Sequence, residues 1–216
     1  RERVWINRRV AAEIFHGFCS CCSKIDPITL HKKNLKNMDQ SSGVVQLGNK
    51  VIRSKAKNVS SVNDPEVQRV IRDLVSVMRE RNLVGLAAPQ IGIGKRIFVT
   101  EVRTTTYRKN IARPDKLRVF VNPKIRSHSK NMATEYEGCG SVAEAMLFGP
   151  VKRFYMVEVV AFSELGEEFV FQANGFLARI IQHEMDHLEG IVFIDKVTDT
   201  RKLLGREAYV GLGKEC

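Results

Sequence analysis

The sequence lacks a long apolar run: no stretch approaches the roughly 20 residues that a membrane-spanning helix needs. Cysteine is scarce and poorly placed for disulfides. There are five, an odd number, and Cys19, Cys21 and Cys22 crowd into one short stretch. This pattern favours a reducing compartment over a disulfide-linked fold. We therefore expect no membrane partner, and we expect the three neighbouring cysteines to form a reduced, flexible cluster rather than a metal knuckle.

Few acidic residues are present at the N-terminal end. The formal net charge of the whole chain is +11; residues 1–60 hold 12 Lys and Arg against 4 Asp and Glu, whereas the remainder holds 23 against 20. The length of 216 residues suits one domain with an appendage. We interpret residues 1–40 as a basic leader. Its composition suits a mitochondrial targeting segment, a nucleic-acid-binding arm or a solvated tail.

The motif that carries most of the chemical information is Gln182-His183-Glu184-Met185-Asp186-His187. Two histidines four positions apart on a helix lie on the same face and can reach one cation, and the Glu between them suits a general base. Asn174 is placed to cap this helix and Gly190 to end it. Hydrogen-bonded histidines on a partly buried face are the alternative, but the intervening Glu favours a metal site.

A third ligand has to come from elsewhere in the chain. The position of the third His in a metzincin is occupied by Phe193, and Glu207 lies in a polar tail without an expected helix around it. Cys139, flanked by Gly138 and Gly140, is the better ligand, which leaves a fourth position for water. A buried structural thiol is the alternative for a single cysteine.

Secondary-structure signals predict an α+β domain. Asp64 and Pro65 are typical of a helix start, and apolar residues at helical spacing continue to about Arg81. Strands are predicted at 96–102, 117–122, 151–162 and 168–172, and short extended segments at 44–47 and 51–52. A mainly antiparallel sheet packed around the C-terminal His helix, with a helix on its N-terminal side, is therefore expected.

Three segments together resemble the peptide deformylase family: GLAAPQ (85–90), EGCGS (137–141) and QHEMDH (182–187). Two further segments, at 117–123 and 175–190, look most like the corresponding segments of the mitochondrial deformylases of animals. The resemblance implies a catalytic domain at 41–216 that removes the N-formyl group from the initiator Met of nascent polypeptides and releases formate. It also implies Fe(II) held by Cys139, His183 and His187, with Zn, Co or Ni as substitutes, and a mitochondrial location, the cytoplasm or another organelle being the alternative.

Catalytic roles follow from the chemistry of the matched residues. Glu184 would carry the proton, and the Gln90 amide and the Gly140 N–H would donate to the oxyanion. Phe176 and Ile180 share a helix face with the two histidines and would line a pocket for the Met side chain. The resemblance adds a substrate-binding strand at Val84 and Gly85. The candidate site residues are Val84, Gly85, Gln90, Cys139, Gly140, Phe176, Ile180, His183, Glu184 and His187.

The sequence also departs from the family pattern. Leu83 stands where the pattern has Gly, and Gly140 stands where bacterial members usually have Leu. An apparent two-residue insertion precedes Arg153, which we expect to pair with Glu137.

Two other functions compete with deformylation: a zinc endopeptidase of the HExxH type, and a non-catalytic RNA- or ribosome-associated module that uses the basic leader. Expected partners are formylmethionyl nascent peptides and, beyond them, the ribosome. No specific DNA partner is expected.

Overall fold

The structure is a computed structural model that describes residues 43–213. The basic leader at 1–40, with its three cysteines, lies outside the described residues, as does Cys216. Within the described part, no helix combines the length and apolar character needed to span a bilayer.

Three α-helices are present among the described residues: α1 (Pro65–Glu80), α2 (Gly175–Leu188) and α3 (Arg206–Gly211). The predicted first helix is confirmed, with its cap: the Asp64 carboxylate accepts a 2.8 Å hydrogen bond from the backbone N–H of Glu66, and Pro65 opens the helix. Helix α3 was not expected. It shows that the sequence-based view of this segment as a tail without a helix was wrong, although Glu207 itself is exposed.

The strands form two antiparallel sheets, which confirms the predicted α+β class. The larger sheet has the order β1-β2-β3-β6-β7 and the smaller has the order β4-β5-β8. The strands are β1 (Gly85–Ala87), β2 (Ile97–Val102), β3 (Asp115–His128), β4 (Met132–Gly138), β5 (Leu147–Phe154), β6 (Met156–Phe162), β7 (Glu168–Asn174) and β8 (Leu204–Gly205).

The prediction of a single strand at 151–162 is wrong, because the chain passes from one sheet to the other within this range. β5 pairs with β4 and β8, β6 pairs with β3 and β7, and the break falls at Tyr155, whose N–H donates to the Asn131 carbonyl at 2.9 Å. The extended segment expected at 51–52 is also wrong, since it lies in a 3₁₀ helix, Lys50–Arg53. An apolar run in the sequence indicates that a strand is buried, but it does not indicate which sheet the strand joins.

Helix α2 packs against strands of both sheets and is the central element of the fold. Its residues Ala178, Ile181 and Leu188 belong to a buried cluster that includes Phe98 and Phe120 of the larger sheet. This packing fixes the rotation of α2 about its axis, and therefore the direction in which its histidines point.

The two ends of α2 differ from each other in how they are capped. Asn174 takes the N-cap position, but its side chain makes no capping hydrogen bond. At the C-terminal end, Gly190 has φ +74° and the Ile191 N–H donates to the Asp186 carbonyl at 2.9 Å, a Schellman arrangement. A Cβ at Gly190 would lie 2.7 Å from the Arg53 carbonyl oxygen. Glycine is therefore required where the helix ends, just after its second His.

Candidate metal centre

The structure brings Cys139, His183 and His187 together. Their ligand atoms all lie within 4.8 Å of one another, and Cys139 Sγ is 3.2 Å from His187 Nε2. Both histidines project from α2, and Cys139 follows the last residue of β4, so the cluster joins the central helix to the smaller sheet. Cys139 and His187 are buried and His183 is half-buried.

The donor set fits a metal ion. A thiol and two imidazoles are the ligands that Zn and Fe accept in proteins. His183 uses Nδ1 for a 3.0 Å contact with Glu137 Oε2, which leaves its Nε2 lone pair for a cation. Burial lowers the pKa of His187 well below its usual value, which favours the neutral imidazole that binds metals. The pKa of His183 is raised well above its usual value, against the effect of burial, by Cys139 and Glu137, and a cation bound there would take the place of that proton.

A buried carboxylate, that of Glu137, connects the cluster to its supports. It accepts hydrogen bonds from Arg153 Nε and Nη2 at 2.9 and 2.8 Å, and from Arg179 Nη1 at 2.7 Å. Burial alone would raise the pKa of Glu137, but Arg153 and His183 hold it well below its usual range. The charged carboxylate thus ties β4, β5 and α2 together two residues before Cys139. The expected Arg153 pairing is present; Arg179 was missed, and its position one helical turn before His183 was the available signal.

Glu184 is buried beside the cluster. Its Oε2 atom has no hydrogen-bond partner among the described residues, and the carboxyl lines the same cavity as Cys139 and His183. Burial raises the pKa of Glu184 to about 7. A carboxyl group with this pKa can both accept and release a proton near neutral pH.

The side-chain amide of Gln90 is oriented by the backbone. Its Oε1 accepts a 2.8 Å hydrogen bond from the Ala87 N–H, so the NH₂ group faces the cluster, with Nε2 3.5 Å from Cys139 Sγ and 3.4 Å from Ser141 Oγ. Both N–H groups of this amide therefore point to the side of the cluster where the thiol lies, in long contacts that a better acceptor could replace.

A cavity of about 400 Å³ opens in front of the cluster. Nine of the ten candidate residues line this cavity, and eight of them besides His183 are Val84, Gly85, Gln90, Cys139, Gly140, Phe176, Ile180 and Glu184. His183 also lines the cavity, whereas His187 is fully buried behind it. Strand β1 is an edge strand, since among the described residues it pairs only with β2. An edge of this kind is where an extended peptide can add as a further strand.

Comparison with known proteins decides the family. Residues 41–203 match the family model described as polypeptide deformylase. The chain belongs to the polypeptide deformylase family. A mitochondrial peptide deformylase from Homo sapiens is 42% identical over 166 residues, which cover 72% of this chain and 68% of the human protein. A peptide deformylase from Microchaete diplosiphon is 38% identical over 176 residues, covering 82% of this chain and 88% of that protein.

Solved deformylase structures share the fold. A class I type b peptide deformylase from Acinetobacter baumannii, bound to Met-Ala-Ser, has a TM-score of 0.67 and 35% identity, covering 71% of this chain and 96% of the other. A deformylase from Synechococcus elongatus in complex with actinonin has a TM-score of 0.64 and 36% identity, covering 79% and 85%. The resemblance, fold class and enzyme class expected from the sequence are therefore confirmed. Membership favours deformylation over the endopeptidase and RNA-module alternatives.

The two departures from the deformylase pattern lie against each other in the structure. A Cβ placed on Gly140 would be 3.4 Å from Leu83 Cδ1 and 3.5 Å from Val44 Cγ1. Leu83 therefore occupies space next to the residue that has lost a side chain, and both residues line the cavity. We infer that Leu83 fills part of the space that a larger side chain at 140 would take.

A double-mutant cycle tests this compensation. Gly140→Leu alone should lower deformylase kcat/KM by about tenfold, because the new side chain meets Leu83, and Leu83→Gly alone should lower it less by opening a gap. The double variant should recover most of the activity, with a coupling energy of about 1 kcal/mol or more. Additive losses in the cycle would show that the two positions act separately.

The segment between Ser141 and Arg153, in which the insertion is predicted, contains unusual backbone. Ala143, Glu144 and Ala145 have φ of 48°, 51° and 58°, a left-handed turn that ordinary residues rarely form in succession. Arg153 reaches Glu137 in spite of this turn. The turn therefore leaves the support of the metal cluster in place.

The absence of a side chain at Gly85 is required by the close approach of α2. A Cβ there would lie 2.5 Å from Glu184 Oε1 and 2.7 Å from Ile180 Cγ2. We expect Gly85→Ala to displace the Glu184 carboxyl and to lower kcat/KM by about 100-fold with metal content retained. Gly94→Ala is the matched control, since a Cβ there meets nothing within 4 Å. Equal kcat/KM for the two variants would contradict the inference that a side chain at position 85 displaces Glu184.

Proposed function

We propose that this chain hydrolyses the N-formyl amide at the start of nascent polypeptides, releasing formate, at the cluster of Cys139, His183 and His187. The observation that carries the proposal is the placement of Glu184 and the Gln90 amide beside this buried cluster, at the base of a cavity with a free strand edge. Relatives with the same fold are described as bound to Met-Ala-Ser and to actinonin.

Cys139 and the two histidines would hold one divalent cation, and we propose Fe(II), with Zn, Co or Ni as substitutes. The mixed thiolate and imidazole set supports a transition metal over Mg or Ca. When bound, the ion supplies Lewis acidity, which activates water as a nucleophile near neutral pH and polarises a carbonyl group.

Glu184 would act as the proton carrier. It takes a proton from the attacking water and returns it to the departing amide nitrogen, so that the peptide leaves as a neutral amine. The buried position of Glu184 beside the cluster, with an oxygen that has no partner among the described residues, supports this role.

Gln90 and Gly140 would stabilise the negative charge that develops on the formyl oxygen. The Gln90 NH₂ group is held toward the cluster by the Ala87 N–H, which means that its orientation is set before substrate binds. The backbone N–H of Gly140, next to the thiol ligand, would donate a second hydrogen bond. A neutral amide suits this task because it does not compete for the cation.

The cavity would hold the first residue of the substrate. Phe176 and Ile180 form an apolar wall in which an unbranched Met side chain can lie, and Val84 and Gly85 offer the edge of β1 to the peptide backbone. The mode of binding is strand addition, in which main-chain hydrogen bonds hold the peptide and a pocket selects its side chain.

We propose a mitochondrial location and formylmethionyl nascent peptides as the partners, with the ribosome as a further partner. The human mitochondrial relative and the basic leader at 1–40 support this location. Fusion of residues 1–40 to a fluorescent protein, with the leader's arginines replaced by glutamine as the control, would test it. Cytoplasmic signal from the unaltered fusion would contradict it.

The test of the reaction is formate release from formyl-Met-Ala-Ser by the metal-loaded protein. A zinc endopeptidase would instead cut an internal bond of an unformylated peptide, which mass spectrometry of the products detects. Stoichiometric formate with intact peptide bonds is expected. Peptide fragments without formate would overturn the proposal.

A further inference from the structure

The buried side chain of Arg179 joins α2 to both neighbouring strands of the smaller sheet. Its Nη1 donates to Glu137 Oε1 at 2.7 Å and to the Val151 carbonyl at 2.9 Å, and its Nη2 donates to the Ala133 carbonyl at 2.8 Å. Ala133 and Glu137 belong to β4, and Val151 belongs to β5. The guanidinium therefore fixes the distance and angle between α2 and the strand that leads to Cys139.

The Glu137 carboxylate passes this constraint on to one of the metal ligands. Its Oε1 accepts from Arg179 Nη1 and from Arg153 Nε, and its Oε2 accepts from Arg153 Nη2 and lies 3.0 Å from His183 Nδ1. Because two guanidinium groups bind the carboxylate from different directions, it cannot turn freely. A carboxylate accepts hydrogen bonds only, so Nδ1 of His183 is the protonated ring nitrogen and Nε2 faces the cluster with its lone pair.

The other histidine of the cluster has no comparable support among the residues that the structure describes. His187 is fully buried, and its Nδ1 atom has no hydrogen-bond partner there. The orientation of its ring is set by the packing around it. Arg179 and Glu137 therefore act on the metal cluster through His183.

Arg153 by itself does not account for this orientation. It reaches Glu137 from β5 and also bonds to the Asp186 carboxylate. Arg179, in contrast, lies on α2 one turn before His183, so it holds the carboxylate and the imidazole in register on the same helix. Without Arg179, Glu137 Oε1 would keep a single donor, and the carboxylate could rotate away from Nδ1.

We propose that Arg179 is a positioning residue for the metal ligand His183 and that it acts through Glu137. It directs His183 Nε2 at the cluster before an ion binds. A ligand whose orientation is already fixed loses less freedom on binding, which increases the affinity for the ion. This inference rests on the metal site of the proposed function.

The first test measures the Zn(II) affinity of the metal-free protein by competition with a chelator. Arg179→Met should lower the affinity by about 10–100-fold, the usual consequence of removing a group that orients a ligand. Glu135→Gln is the control, because Glu135 is an exposed carboxylate that contacts Arg179 Nε at 3.3 Å. Its affinity should equal that of wild type. No zinc on wild type would refute the proposed metal site, whereas equal affinity for Arg179→Met would refute only the positioning role.

Arg179→Lys separates positioning from an effect on the fold. An ammonium group keeps one charged donor for Glu137 but cannot also bond to the two backbone carbonyls. Zn(II) affinity should therefore return to within about threefold of wild type, while the melting temperature stays below that of wild type because two buried acceptors lose their donor. Zn(II) affinity as low as that of Arg179→Met would show that Arg179 only anchors the strands.

A double-mutant cycle with Glu137→Gln tests whether the effect passes through Glu137. In the Glu137→Gln background, Arg179→Met should change Zn(II) affinity by less than about threefold, since the carboxylate it would orient is already absent. Independent losses that multiply in the double variant would overturn the proposal.

Nuclear magnetic resonance of the zinc-loaded protein, labelled with ¹⁵N at histidine, tests which ligand is affected. The Nδ1–H signal of His183 should be protected from exchange with water in wild type and should broaden or disappear in Arg179→Met, while the ring signals of His187 keep their positions. An unchanged His183 signal in Arg179→Met would contradict the proposal.

Discussion

Glu184→Gln is expected to lower formate release by about 10²–10⁴-fold, because a neutral amide cannot take the proton from the attacking water. The substitution keeps the size of the side chain, and Glu184 is not one of the three clustered ligands. Metal content should therefore stay at the wild-type level. Melting temperature should not fall, since burying an amide costs less than burying a carboxylate.

The control for this variant is Glu168→Gln, which removes the same charge from an exposed position on β7. Formate release and bound metal are measured on the same preparations. A Glu184→Gln enzyme within tenfold of wild type would assign the proton transfer to another group. A variant without metal would leave the loss of rate attributable to the ligands instead.

Cys139→Ser is expected to remove most of the bound metal and to lower formate release by at least about 100-fold. A serine hydroxyl remains protonated near neutral pH, whereas a cysteine ligand is deprotonated by the cation, so the two imidazoles would hold the metal without an anionic ligand. Elemental analysis of anaerobically purified wild type beside the variant gives both the loss and the identity of the metal.

Two outcomes of that analysis are informative. Unchanged metal in Cys139→Ser would exclude the thiol as a ligand and would favour an endopeptidase-type site. Zn rather than Fe in anaerobic wild type would overturn the Fe(II) proposal and leave the site intact. Cys19→Ser, in the basic leader, is the control for loss of a thiol elsewhere in the sequence.

The metal cluster could be predicted from the sequence to an unusual extent, for two separate reasons. The His183 and His187 pair is set by helix geometry, which repeats over four residues whatever the surrounding fold. Cys139 was reached by elimination, because position 193 holds Phe193 rather than a His and Glu207 lies in a polar tail with no expected helix, and the family motif agreed. The distance of 3.2 Å between Cys139 Sγ and His187 Nε2 depends on the tertiary structure and could not be predicted from the sequence.

The supporting residues were harder to predict. Arg179 is one turn before His183, but a buried arginine on a helix can face many partners, and its bond to Glu137 depends on β4 lying beside α2. The complementarity of Leu83 and Gly140 was seen in the sequence only as two separate departures. Their contact appears once the end of α1 and the Cys139 loop are adjacent.

The sequence by itself determined the local features: the capped helix after Asp64, the two histidines on one helix face, and a family membership carried by three short motifs. The cap and the histidine pair depend on residues a few positions apart, which helix geometry brings together whatever the rest of the fold, and the motifs are read directly from the sequence. The tertiary structure alone decided the break at Tyr155 between two sheets, the helix at Arg206–Gly211, and the contact of Arg179 with Glu137 behind the cluster. Those features join segments that are distant along the chain, and their positions follow from packing around α2 rather than from any local pattern.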